Sequence, residues 1–291
     1  MKNWDEVRTA YFVARAGTVS GAADALGVHH ATVIRHIDAL EARLGVKLFQ
    51  RHARGYTPTE AGADLLQVGQ ATDDQFNQLE SRIRGRGESV SGDLTVTTLT
   101  MLAPLMVPVL HDFQQANSGL IVRYLVGARL FRLEYGEAHV AIRAGAPPEQ
   151  PDNVVRKLSQ IRPALYAAPG YLARHGRPER PEDTDGHLYV GPDDEGSRAP
   201  FHAWMARNVP REQVVFRTGD DTTGVEAVRA GAGIGFLTGW QAEGLGLERL
   251  CDPREDWAAD LWVVTHVDLH RTTKVQAFLA ALREAVATWP E

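Results

Sequence analysis

Arg35, Arg51 and Arg54 stand close together near the N-terminus of this 291-residue chain, in company with His29, His30 and Thr32. Guanidinium groups donate paired hydrogen bonds to phosphate oxygens, and Arg, His and Thr side chains on one helix can reach base edges in a major groove. The chemistry on offer is nucleic-acid contact rather than catalysis. No phosphate-loop lysine motif, CxxC pair, HExxH or G-x-S-x-G elbow occurs, and those are the spacings that hold nucleotides, metals or an activated nucleophile. Gly231-Ala232-Gly233-Ile234-Gly235 has the spacing of a glycine fingerprint, but it follows a helical pattern and precedes Phe236-Leu237. That order is the reverse of a dinucleotide loop and reads as a helix-to-strand turn. His29, His30 and His36 have no cysteine or carboxylate beside them at ligand spacing, and His266 and His270 read as surface or structural groups. Cys251 is single and cannot form a disulfide within the chain. No catalytic residue, metal or cofactor is expected.

Those arginines need a scaffold, and the apolar periodicity supplies one. Trp4, Val7, Tyr11 and Ala14 recur at helical spacing along Trp4 to Ala16, with Arg8 and Arg15 left to solvent, until Gly17 stops the helix. Ser20 stands ahead of Gly21 to Leu26 as the expected N-cap, Ala22 and Ala23 permit close helix approach, and Gly27-Val28 supplies a tight turn. A third helix is predicted over His30 to Leu44, ended by Gly45. Val33, Ile37, Leu40 and Leu44 form its packed stripe, and Ala31, Thr32, Arg35, Asp38 and Ala42 its small, polar opposite face. Arg35 is the foremost candidate for a DNA contact. Beyond Gly45, Val46 to Arg51 and Tyr56-Thr57 read as strands joined at Arg54-Gly55, a wing whose Arg51 and Arg54 suit phosphates.

Phe12, Ser20-x-Ala22-Ala23-x-x-Leu26, Val33, Ile37, Leu40-Glu41, Leu44-Gly45, Leu48-Phe49-x-Arg51 and Thr59-x-Ala61-Gly62 together resemble the DNA-binding module of LysR-type transcriptional regulators. The remaining chain continues in that family's order. With the helical reading, the DNA-facing set becomes Ser20, His29, His30, Ala31, Thr32, Ile34, Arg35, Arg51 and Arg54. Where the family most often has Ser-Gln-Pro, this chain has His29-His30-Ala31, and Ile34 occupies a common Ser position. Two readings stay open: His30 and Ile34 touch DNA, or His29 merely starts the helix and Ile34 packs at the core's edge.

Thr59 is placed to cap a further helix from Glu60 through Leu65, Leu66, Phe76, Leu79 and Ile83, broken by Gly85-Arg86-Gly87-Glu88-Ser89. Such a helix needs a cover for its apolar positions, and the resemblance implies an antiparallel helix of a second subunit, with a tetramer as the full assembly. From Gly92 the pattern turns α/β, with strands at Leu94–Thr98, Leu120–Leu125, His139–Ile142, Leu165–Ala168 and Val214–Arg217 and helices at Met101–Ala116 and Thr223–Ala230. That alternation implies parallel βαβ units. The resemblance implies two Rossmann-like subdomains akin to periplasmic binding proteins, with crossovers near Arg143-Ala144 to Arg162-Pro163 and near Thr265-His266. It also implies an effector cleft between them, at Thr98, Thr100, Met101, Gly127, Ala128, Thr218 and Asp220, with Arg143 nearby. A threonine at such a turn can equally cap a helix.

Residues 1–60 hold 8 Lys and Arg against 6 Asp and Glu, a net of +2, which leaves −8 for the remainder of a chain totalling −6. A net acidic protein can still bind DNA when its basic residues gather on one module. At 44% hydrophobic residues the chain can form several cores, and no run of about 20 apolar residues offers a membrane span. The single cysteine and the charged Lys2 and Asp5 point to the cytoplasm. The expected fold is α/β behind an all-α-plus-wing N-terminal module. Its expected divisions are a winged helix-turn-helix over 1–59, a linker and dimerisation helix with hinge over 60–90, and an effector-binding domain over 91–291. Within the last, subdomain I covers about 91–162 and 266–291, and subdomain II about 163–265. The expected function is a regulator that binds an interrupted dyad in promoter DNA under control of a small-molecule effector, with RNA polymerase as a further candidate partner and no membrane association. The alternative is a solute-binding or enzymatic α/β protein with an accessory DNA-binding arm.

Overall fold

Three helices, α1 (Trp4–Ala16), α2 (Val19–Leu26) and α3 (His30–Leu44), build the N-terminal module, in a computed structural model that describes residues 3–52, 55–83, 90–127, 133, 137–194 and 196–290. Each ends at a glycine in the left-handed region, Gly17, Gly27 and Gly45, where a Cβ is disfavoured. Ala10, Val13, Ala22, Ala23, Val33, Ile37 and Leu40 interlock with Leu48 and Phe49 as one core. Three local expectations need correction. Thr18 rather than Ser20 caps α2, its hydroxyl accepting from Gly21 N at 3.1 Å, so the helix starts earlier and Ser20 lies inside it. Leu44 is 42% exposed because the last turn of α3 runs past the core. Trp4 is also exposed, meeting the Phe76 ring edge-on at 5.5 Å instead of entering the interior.

The wing is β1 (Phe49–His52) paired antiparallel with β2 (Gly55–Pro58). Tyr56 N donates to Gly17 O at 2.8 Å, which fastens the wing to the end of α1. Thr59 then caps α4 (Glu60–Ile83), accepting from Gly62 N at 3.2 Å. This helix of 24 residues, about 36 Å long, lies against α1 through Gly69, where a Cβ would stand 2.6 Å from the Tyr11 ring. The side chains of Leu79 and Ile83, and the whole Gly85 to Ser89 break, lie outside the described residues.

In chain order there follow β3 (Ser91–Thr98), α5 (Ala103–Ala116), β4 (Gly119–Val126), β5 (Val140–Ala144), β6 (Asn153–Ile161), β7 (Ala164–Ala167), α6 (Pro169–His175), β8 (Tyr189–Pro192) and α7 (Pro200–Asn208). Next come β9 (Val214–Thr218), α8 (Asp221–Arg229), β10 (Gly235–Leu237), α9 (Gly239–Ala242), β11 (Glu248–Arg249), β12 (Ala259–His266), α10 (Val267–His270) and α11 (Thr273–Val286). One sheet has the order β4-β3-β5-β12-β6. Its inner face packs Leu94, Val96, Ile142 and Leu261 against Met106, Phe113 and Phe278 of α5 and α11. The second subdomain sets β10-β7-β11 and β8-β9 around Tyr171, Tyr189, Trp204 and Trp257.

The purely parallel expectation fails in the first sheet. β3 runs parallel to β4 and β5, but β12 is antiparallel to both β5 and β6. β12 pairs with β6 along its whole length, from Ala259↔Ile161 to His266↔Asn153. The chain therefore leaves the first sheet after Ile161 and returns before Ala259, not near Thr265-His266. Backbone pairing and the burial of Leu261 and Val263 hold this returning strand in the first core. His266 serves that strand's end, its ring accepting from Asp268 N to cap α10.

Candidate functional site

The outer face of α3 carries His29, His30, Ala31, Ile34 and Arg35, all exposed, with Thr32 half-buried behind them. His29 is the N-cap residue, and its side chain makes no capping bond. Ile34 is 38% exposed, so it stands on the surface rather than in the core. His36 points the other way, its Nδ1 2.9 Å from Thr9 Oγ1 between α3 and α1. Ser20 is exposed on α2. Among the described residues no three His, Cys, Asp or Glu side chains form a metal-binding group.

Arg51 is engaged within the module. Its Nη2 donates to Asp38 Oδ1 at 2.6 Å and to Glu41 Oε2 at 3.2 Å, and its guanidinium lies over the Tyr56 ring. These contacts brace the wing against α3. Arg54 lies outside the described residues. The residue without an expected role is Glu41, which is only 3% exposed. Its Oε1 accepts from the amides of Leu48 at 2.9 Å and Phe49 at 3.2 Å, and its Oε2 accepts from Lys47 Nζ at 2.7 Å. Burial pushes the Glu41 carboxyl up, yet Lys47 and the two amides outweigh it and hold it below the usual carboxylate range. A glutamate beside the Val33-Ile37-Leu40 stripe was the available signal, because a carboxylate there needs partners.

A second site lies at the junction of the two subdomains. Met101, at the exit of β3, shares a cavity of about 70 Å³ with Val190, Phe201, His202, Thr218, Asp220, Asp221, Thr238 and Gln241. A single water needs about 10–15 Å³ of such space, so a ligand of more than a few atoms requires the walls to part. Trp240 Nε1 donates to Met101 O at 3.1 Å, a direct tie between the subdomains. Asp220 caps α8, accepting from Thr223 N at 2.7 Å and Thr223 Oγ1 at 2.8 Å, and these bonds lower its pKa. Burial, then the neighbouring Asp220, raises the carboxyl of Asp221. Burial also pushes His202 down to about 4, with Ser197 Oγ 2.8 Å from its Nδ1. The ring is therefore neutral at neutral pH.

Of the expected cleft residues, the cavity gathers Met101, Thr218 and Asp220. Thr98 is instead fully buried and occupied by Tyr124 OH at 2.6 Å and Leu99 O at 3.0 Å. Thr100 stands in a short 3-10 turn and Gly127 donates its N–H to Thr98 O, and neither lines the cavity. Arg143 sits apart from the cavity, its Nη1 donating to Ile142 O and Thr97 O. Ala128 lies outside the described residues. Phe201, His202, Thr238 and Gln241 had no part in the sequence reading, since no element was recognised between Ala168 and Val214 or after Phe236-Leu237.

Comparison with known proteins identifies the family. The family model described as "Bacterial regulatory helix-turn-helix protein, lysR family" matches residues 4–63, and that of the "LysR substrate binding domain" matches residues 87–287. An HTH-type transcriptional repressor of Pseudomonas aeruginosa (strain UCBPP-PA14) is 30% identical over 290 residues, spanning 96% of this chain and 90% of its own. CrgA, a LysR-type transcriptional regulator from Neisseria meningitidis, superposes with a TM-score of 0.60 at 23% identity, covering 99% of this chain and 100% of that one. Full-length LysG of Corynebacterium glutamicum, solved with bound effector Arg, gives 0.70 at 18% identity, covering 98% of each chain. The sequence relatives carry the names of regulators and not of enzymes. Family-model matches over residues 4–63 and 87–287, with a regulator 30% identical across 96% of the chain, make this chain a member of the LysR family of transcriptional regulators.

Proposed function

We propose that the protein is a one-component regulator that binds an interrupted dyad in promoter DNA through paired winged helices and alters that contact when a small polar metabolite occupies the C-terminal domain. The observation that carries the DNA reading is the exposed strip His29-His30-Ala31, Ile34 and Arg35 on α3 beside a braced wing. In this reading residues 1–59 read DNA, 60–90 pair the subunits and 91–291 sense the metabolite. Pairing is supported by Val68 and Phe76, which leave apolar surface on α4 at 58% and 51% exposure; an antiparallel copy of α4 would cover it, and two such dimers would give a tetramer. Among the described residues no helix is long and apolar enough to cross a membrane, in keeping with a cytoplasmic role. In this reading the cavity at Met101 holds the metabolite, because it lies where the subdomains meet.

Footprinting on the DNA upstream of the gene tests the reading, with and without candidate metabolites. Two protected half-sites whose spacing changes with one metabolite are expected. Arg35→Ala should weaken protection about tenfold or more, and Val68→Asp with Phe76→Asp should give monomers by light scattering. Protection that is absent, or unchanged by Arg35→Ala, would overturn the DNA reading.

A further inference from the structure

The exposed side of α3 carries polar and small side chains through its first turns, with one exception, Ile34. At about 100° per residue, Ile34 lies about a quarter-turn from the buried stripe of Val33, Ile37 and Leu40 and about a quarter-turn, on the other side, from Arg35. The stripe has no exposed surface and builds the core of the module, whereas Ile34 is 38% exposed and stands outside that cluster. Leu44 is exposed as well, but at the far end of the helix beside Gly45. Ile34 belongs to the second turn, with exposed His30 one turn before it and Asp38 one turn after it on the same row. Asp38 holds Arg51 of the wing at 2.6 Å, so that row runs along the wing side of α3. Ala31, exposed between Ile34 and Arg35, ends at its Cβ and leaves a duplex room to come close. The side chain of Ile34 has no hydrogen-bonding atom, and branching at Cβ leaves it one favoured χ1 rotamer in a helix. It therefore presents a fixed apolar surface that loses little freedom on binding. In the major groove the base edges offer donors and acceptors, and the 5-methyl of thymine is the apolar group among them. Isoleucine laid on a guanine, adenine or cytosine edge covers polar atoms without bonding them, which is costly. Laid on the methyl group, it removes apolar surface of both partners from water.

We propose that Ile34 is a specificity-determining residue that reads one thymine in each half-site through its 5-methyl group. This rests on the reading that α3 enters the major groove, and it names a base which that groove must present on the wing side of the Arg35 contact. Phosphate contacts give affinity without regard to sequence, so the mark of Ile34 is a lost preference for thymine rather than a general loss of binding.

The test uses the full chain and a pool of randomised DNA duplexes, from which the parent, Ile34→Ser and Ile34→Ala each select the sequences they bind. The parent should retain one thymine per half-site at a position that both variants leave free to vary. Deoxyuridine in place of that thymine keeps the base pair and removes only the methyl group. Titration of the parent should then weaken about fourfold for one half-site and about tenfold or more for both. Ile34→Ala should bind the thymine and deoxyuridine duplexes alike, and both variants should melt with the parent, because Ile34 stands outside the core. The proposal is overturned if the parent and both variants select the same bases, if deoxyuridine at every selected thymine leaves the parent's affinity unchanged, or if Ile34→Ala melts lower than the parent and still discriminates against deoxyuridine. A parent that selects a sequence and ignores the methyl group would remove the role of Ile34 and leave the DNA reading standing. A parent that selects no sequence from the pool would remove the DNA reading itself.

Discussion

Glu41→Ala should loosen the wing without unfolding the three-helix core. In the native chain the carboxylate satisfies the amides of Leu48 and Phe49, both nearly inaccessible to water, and meets Lys47 and Arg51 at its other oxygen. The two kinds of contact differ greatly in weight. Lys47 is 72% exposed on its side chain, so its ion pair contributes at most about 1 kcal/mol. Each buried amide left without an acceptor costs about 1–3 kcal/mol. Some of that is offset because a carboxylate is no longer buried, and a net loss of about 3 kcal/mol is expected. A loss of that size corresponds to roughly a hundredfold rise in opening, readable as faster amide hydrogen exchange in the peptide spanning residues 45–58. Lys47→Ala, the control, should change exchange less than about fivefold. The Glu41→Ala protein should also bind operator DNA more weakly, because the wing no longer holds its place beside α3. If exchange at Leu48 and Phe49 rises less than threefold in Glu41→Ala, those amides have another acceptor and the argument fails. The depressed carboxyl gives an acid signature as well. Stability from Glu41 is present above its unfolded pKa and lost as pH falls through the lower folded one, so the wing should open in acid before the parent core melts.

Three further outcomes can be measured. His202 has an ordinary pKa near 6.5 when unfolded and about 4 when folded, so its contribution is complete above about pH 6.5 and fades toward pH 4, by up to about 3 kcal/mol; Asp221 on the same wall runs the opposite way. Urea titrations between pH 4 and 7 should therefore show a shallower pH slope in His202→Gln than in the parent, and parallel slopes would refute the assignment. Gly69→Ala places a methyl group against the Tyr11 ring and should cost about 1–3 kcal/mol by overpacking α1 on α4, seen in urea unfolding; a neutral result would mean the helices part freely. Asp220→Ala removes the cap of α8 and should cost about 1 kcal/mol, with Asp220→Asn recovering most of it in the same assay.

The N-terminal module was legible because its signals are local. Glycines at the left-handed helix ends, a capping Thr59 and one apolar stripe set α1, α3 and α4 at their observed bounds. The sequence reading took Ser20 for the cap because it directly precedes Gly21, and only the observed bond to Gly21 N assigns that role to Thr18. The second half was harder because long-range pairing decides it. β12 lies about a hundred residues from its partner β6 in sequence, and nothing in Leu261-Trp262-Val263-Val264 announces that it runs antiparallel. The cavity wall was missed for a related reason: the stretch before α7 is rich in Pro, Gly and Asp, and its helix is only nine residues long. Thr98 shows the limit of position alone. The family resemblance implied a ligand contact there, but the Tyr124 hydroxyl occupies its Oγ1 at 2.6 Å.

Two contacts tie the N-terminal helices to the C-terminal domain, one from α1 and one from α4. Arg15 of α1 meets Asp93 at 2.5 Å, and Gln67 of α4 lies 3.1 Å from the His266 ring nitrogens and donates to Asp268 at 3.1 Å. A helix gripped two turns from its start behaves as a lever arm. From Gln67 to Ile83 the arm measures about 24 Å, and a tilt of about 10° about that grip carries its far end about 4 Å, close to one base-pair step. Under the proposed pairing of two α4 helices, two such arms would act as calipers, turning an adjustment of side-chain size at the grip into a change of span at their far ends.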